Sequence, residues 1–181
     1  MPRKGYRAKS GRTKFPLDVQ AQRKLIKKAE GKEKTLLILM LSTGIHPKVL
    51  AHKRYGLEWD KRYYRWLRVK TMNEVMGAWS KAMRENGVLS GLVKLRGLTP
   101  QRLWQIVEGL GQKVKIKGLC PLQLRHTSFV NRARLKHDVF SISQGAGTDL
   151  TTVANYYMIG LNESKSMSKE DRTFLRWLME A

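Results

Sequence analysis

Residues 36–41 read Leu36, Leu37, Ile38, Leu39, Met40 and Leu41, with no polar interruption. With their neighbours they predict a helix over about 33–43, ended by Gly44. A helix that is apolar on most faces has to be buried. The run is far shorter than the ~20 residues that cross a bilayer, so a protein core must cover it. The chain has 181 residues, about one domain's length. Other helices can supply that cover. Asp18 is placed to cap a helix through Val19, Leu25, Ile26 and Ala29, which Gly31 breaks. Pro47 suits the first turn of a helix over about 47–54. Thr99 and Pro100 open a helix to about 111, and Pro121 opens one to about 135. Helices are also predicted over 73–84, 138–144 and 149–158. A last one, over 168–179, presents Phe174, Leu175, Trp177 and Leu178.

Two stretches read otherwise. Residues 63–69 mix aromatic, β-branched and charged residues, as a short half-exposed strand does. Residues 113–117 alternate lysine with Val114 and Ile116, which predicts a short strand or an extended connector. Gly87, Gly91 and Gly97 punctuate a loop. The expected fold class is therefore mainly α with a small β-sheet (α+β). Three parts are expected: a flexible basic arm over 1–16, a main domain over 17–160, and a polar linker with an amphipathic helix over 161–181.

Charge narrows the partner. Lys and Arg number 36 against 14 Asp and Glu, a formal net charge of +22. Such a surface binds polyanions, and nucleic acid is the most abundant one in a cell. Cys120 is the only cysteine, which excludes a disulfide framework. With His46, His52, His126 and His137 scattered, a zinc finger or ribbon is excluded too. No metal, cofactor or membrane partner is expected. The basic N-terminus has no apolar stretch behind it, unlike a signal peptide, so a cytoplasmic or nucleoid location is expected.

The charge is concentrated. Arg3, Lys4, Arg7, Lys9, Arg12 and Lys14 occur in the first sixteen residues without an acid. They suit an arm that follows a phosphate backbone or enters a groove, or else a solubilising tail. Residues 46–70 hold Lys48, Lys53, Arg54, Lys61, Arg62, Arg65, Arg68 and Lys70 against Glu58 and Asp60. Residues 113–136 hold Lys113, Lys115, Lys117, Arg125, Arg132, Arg134 and Lys136 against no acid. After residue 136, acids outnumber bases, so this end is expected to face away from the polyanion or to meet another protein.

Three boxes occur in order. The first is Leu41-Ser42-Thr43-Gly44-Ile45-His46-Pro47-Lys48-Val49-Leu50, followed by Leu57-Glu58-Trp59-Asp60. The second is Cys120-Pro121-Leu122-Gln123-Leu124-Arg125-His126-Thr127. The third is Ala146-Gly147-Thr148-Asp149-Leu150-Thr151-Thr152-Val153-Ala154-Asn155-Tyr156. Together they resemble the catalytic domain of the tyrosine recombinases, the phage integrase family, over about 18–158. The second box is the most specific.

That resemblance implies a chemistry. The family's tyrosine attacks a DNA phosphodiester to form a 3′-phosphotyrosine. A phenol needs its proton removed before it attacks. The pentavalent phosphate needs fixed cationic donors, for which the planar fork of Arg is suited. A Lys or His protonates the departing oxygen. Carried over by position, Arg125 falls on the second arginine and Tyr156 on the nucleophile, with Tyr157 one residue out of register. Lys70 is the candidate for the hairpin lysine. His46 stands in the place of the first arginine, Leu122 in that of the first histidine, and Gly147 or Ala146 in that of the second. Losing one preorganised donor typically costs about 3 kcal/mol, or 100–1000-fold in rate. His46 replaces an Arg only if protonated, and then as a single donor.

Each residue also has a plain reading. Arg125 suits simple phosphate binding, His126 a buried hydrogen-bonding role, and Tyr156 packing at a helix end. The tryptophans read as core and interface residues. The leading expectation is a double-stranded DNA-binding protein of integrase type with a degenerate cleavage centre. Its contacts would be Arg3, Lys4, Arg7, Arg12, Lys14, Lys48, Lys53, Arg54, Arg65, Arg68, Lys115, Lys117, Arg125, Arg132 and Arg134. The alternatives are an active site-specific recombinase using Tyr156 with Arg125, Lys70 and His46, and an RNA-binding protein. The last helix either self-associates with a neighbouring copy or folds back on its own domain.

Overall fold

The computed structural model describes residues 6–7, 13–51, 80–91, 95, 97–146 and 148–180. In chain order the helices are α1 Val19–Lys28, α2 Gly31–Thr43, α3 Pro47–Leu50, α4 Lys81–Glu85 and α5 Val88–Gly91. They continue with α6 Pro100–Lys113, α7 Pro121–Arg134, α8 Val139–Ala146, α9 Leu150–Glu163 and α10 Lys169–Met179.

The α+β expectation is corrected: the body is all helical. The only β pairing among the described residues is a two-residue ladder, β1 Tyr6–Arg7 against β2 Thr13–Lys14, in the arm. It is too short to form a sheet layer. The strand expected over 63–69 lies outside the described residues. Residues 113–117 are not extended. There the Ile116 N–H donates to the Gly111 carbonyl (2.8 Å) and the Lys115 N–H to that of Gln112 (3.1 Å). This is the paired closure that ends helices, and it places Lys115 at φ 62°. The loop expected from Gly87 on instead holds α5, while α4 covers residues 81–84 of the helix expected over 73–84. The helix expected over 73–84 cannot run through Ser80, whose ψ of 156° is extended and whose hydroxyl caps α4.

Helix α2 is the centre, as its apolar run demands. Every residue from Thr35 to Ser42 is buried. Helices α1, α4, α5, α6, α7 and α10 pack around it. Helix α7 lies between two apolar clusters. Leu124 faces the α2 core, while Phe129, Val130 and Ala133 join Ile142, Val153 and Tyr156 on the α8–α9 side. Helix α9 runs through residue 160 without a break.

The last helix sits on its own domain. Leu175, Leu178 and Met179 are buried. The Ser42 hydroxyl donates to the Leu178 carbonyl (2.8 Å), and the Lys81 N–H to that of Glu180 (2.8 Å). Among the described residues no helix is long and apolar enough to cross a membrane.

A polar stripe on α7 ties down the chain that leads out of the arm. Gln123 Nε2 donates to the Phe15 carbonyl (2.7 Å), and the Leu17 N–H donates to Thr127 Oγ1 (3.0 Å). Asn131 and Gln22 exchange amide hydrogen bonds (2.7 and 3.1 Å). Arg134 Nη1 donates to the Leu17 carbonyl (3.2 Å). Gln123, Thr127, Asn131 and Arg134 follow helical spacing, and their partners rise from Phe15 through Leu17 to Gln22, so this segment runs parallel to α7. The arm therefore leaves the body beside the N-terminal end of α7.

Candidate functional site

Arg125 is the hub. It sits one turn into α7, with 3% of its surface exposed. Its Nη1 donates to the carbonyls of Gly44 and Ala146, the latter at 3.1 Å. Gly44 caps the C-terminus of α2, and Ala146 is the last residue of α8. Helix C-termini carry partial negative charge, so both favour a cation between them. Gly44 holds φ 65°, and a Cβ there would press on Phe129 at 3.1 Å and Ser128 Oγ at 3.2 Å. The Arg125 guanidinium lies 5.1 Å from the Phe129 ring centre. Among the described residues its other nitrogens have no hydrogen-bond partner, and no carboxylate pairs with it. Burial lowers its pKa to about 10, so it stays cationic at neutral pH.

Two imidazoles flank it. His46 caps α3, its Nδ1 accepting the Lys48 N–H (3.1 Å). Burial, then Arg125, then Lys48 lower its pKa. His126 is held down to about 4 by burial, then by Arg125 and His46. Both are neutral at pH 7, so His46 does not stand in for a missing cationic donor. The His126 ring stacks on Tyr156, centres 4.3 Å apart and planes 19° apart. Rings meeting face to face do not aim an imidazole lone pair at the phenol. That pair is not arranged as base and nucleophile. Tyr156 is itself buried, on the α7 side of α9.

The fold thus brings together three of the four candidate catalytic residues, Arg125, His46 and Tyr156. The fourth, Lys70, lies outside the described residues, as does Gly147. His126 and Phe129 join the cluster. The adjacency of His126 to Arg125 and the one-turn spacing of Phe129 along α7 are the available signal.

The proposed DNA contacts divide. Lys48, Lys115 and Lys117 are exposed. Arg7 and Lys14 lie in the arm ladder. Arg3, Lys4, Arg12, Lys53, Arg54, Arg65 and Arg68 lie outside the described residues. Arg134 is corrected: it is buried and bridges to Glu163 at 2.6 Å, while also serving Leu17 and Asn131. Arg132 is corrected in part, since its Nη2 donates to the Ser42 carbonyl (3.0 Å). Both guanidiniums satisfy internal acceptors. No family model, no curated protein and no solved structure matches this chain.

Proposed function

We propose that this protein binds duplex DNA, seats one backbone phosphate on Arg125, and lacks efficient strand cleavage. The observation that carries the reading is the charge of Arg125, which has no carboxylate partner among the described residues. A buried cation without a partner is costly, and breaking such a pair typically costs about 3–5 kcal/mol. Arg134, equally buried, has Glu163. Arg125 has two carbonyls on one nitrogen and, among the described residues, nothing on the others. An incoming phosphate oxygen completes it, as charge-assisted bonds to a guanidinium fork do.

The surroundings fit. The net charge is +22. Lys48 follows His46 in sequence and is exposed. The basic arm departs beside the same end of α7. The similarity of the three boxes to tyrosine recombinases supports a phosphodiester as the ligand. Against cleavage stand two neutral imidazoles, a stacked Tyr156, and Leu122 and either Gly147 or Ala146 in place of donors.

Binding measured by fluorescence anisotropy against salt tests the reading. The slope of log K on log salt should approach about −0.9 per neutralised phosphate. Arg125→Gln should weaken binding to all sequences alike and reduce that slope by about one. A flat salt dependence overturns the proposal.

A further inference from the structure

Three helices that begin with proline converge beside the phosphate seat. Pro47 opens α3, Pro100 opens α6 and Pro121 opens α7. Between them lies a cavity of about 200 Å³, lined by Pro47, Lys48, Leu103, Trp104, Pro121 and Leu122 among others. Its wall is almost wholly apolar. Trp104 keeps 43% of its surface exposed there, large for an indole in a helical protein. Its Nε1–H donates to Glu108 Oε2 (3.2 Å), so the polar edge of the ring is already satisfied.

We infer that this cavity receives one unpaired nucleobase of the bound DNA. The inference rests on the phosphate seat proposed above. Pro47 and Lys48 directly follow His46 in the chain. Leu122 stands one helical turn before Arg125, on the same side of α7. A nucleotide whose phosphate lies on Arg125 therefore carries its base past this opening. Exposed Lys48 on the rim matches the charge of the strand that delivers it. The cavity offers an indole and aliphatic walls, and no donor–acceptor pattern. It suits the face of any base, and reads no sequence. Extruding a base from an intact duplex costs a few kcal/mol, and much less where the base is already unpaired. The protein should therefore favour duplexes with a bulge or a mismatch.

The test uses the full chain and two short duplexes. One carries a single bulged 2-aminopurine, and the other is fully paired. The bulged duplex should bind about tenfold tighter, and its fluorescence should change as the base enters the cavity. Trp104→Ala should weaken bulge binding by roughly 5- to 10-fold, removing most of the preference, and leave paired-duplex binding within about twofold. Trp104→Phe should keep most of the preference. Because Trp104 is half-exposed, neither variant should unfold the protein, which a thermal melt checks. Equal affinity for both duplexes overturns the inference while leaving the phosphate seat standing. So does a Trp104→Ala loss of equal size on both. Failure to bind either duplex overturns the seat and the cavity together.

Discussion

Adding one methyl group to either of two helix-interior glycines should have opposite effects. Alanine is favoured over glycine in a helix interior by about 1 kcal/mol. At Gly109 in α6, a Cβ would meet nothing within 4 Å. Gly109→Ala should therefore raise Tm by about 2–4 °C. At Gly160 in α9, a Cβ would stand 2.4 Å from the Val130 carbonyl oxygen, 2.7 Å from Ala133 Cβ and 3.0 Å from the Arg134 nitrogen. A comfortable carbon–oxygen contact is about 3.3 Å, so α9 must retreat from α7 by nearly 1 Å. A gap of that size removes about a quarter to a half of the dispersion energy of each atom pair it opens. Overpacking costs about 1–3 kcal/mol, and the upper end applies because the obstacles belong largely to the backbone of α7. After the propensity gain, Gly160→Ala should lose about 2 kcal/mol, a Tm drop of about 4–8 °C. Thermal unfolding by circular dichroism reads both variants. A Gly160→Ala protein as stable as the parent would refute the close approach of α7 and α9. That approach positions Tyr156 against His126.

Three further outcomes follow from particular side chains. Arg134→Ala should cost roughly 3 kcal/mol by removing its buried bonds to Glu163, the Leu17 carbonyl and Asn131, measured in urea, without altering the salt slope of DNA binding. His126 is free to protonate near pH 6.5 when unfolded but only near 4 when folded, so the unfolded chain takes the extra proton. Its contribution is complete above pH 6.5 and lost as pH falls toward 4, roughly 3 kcal/mol in all. Stability should thus fall more steeply between pH 7 and 5 in the parent than in His126→Phe; parallel curves would contradict this. Lys115 and Lys136 close their helices at φ 62° and 64°. Replacing either with glycine should raise stability by about 1 kcal/mol, less a few tenths for the lost charge at the helix end.

Local signals made the helix starts legible. Asp18, Thr99, Asp149 and Ser168 each accept a backbone N–H from the first turn, as their residue types imply. The apolar run over 36–41 implied a buried central helix, because no other environment accepts it. The helix ends were harder to read. α6 and α7 close on lysines in a conformation usually given to glycine, so the alternation over 113–117 resembled a strand. Asn162 and Glu163 read as linker, yet Glu163 completes α9 because Arg134 reaches it from another helix. The same contact explains the misassigned DNA ligand: a charge count along the chain does not tell a surface guanidinium from one that crosses the core. In the site, the boxes located Arg125, His46 and Tyr156. The neutrality of His46 and the stacking of Tyr156 come from burial and partners distant in sequence.

The central claim is that this protein holds DNA on Arg125 and leaves the strand intact. A nicked suicide duplex, incubated at length and resolved on native and denaturing gels, tests it directly. The account predicts a salt-sensitive native shift and no denaturant-resistant protein–DNA adduct. A covalent adduct that disappears in Tyr156→Phe would contradict it.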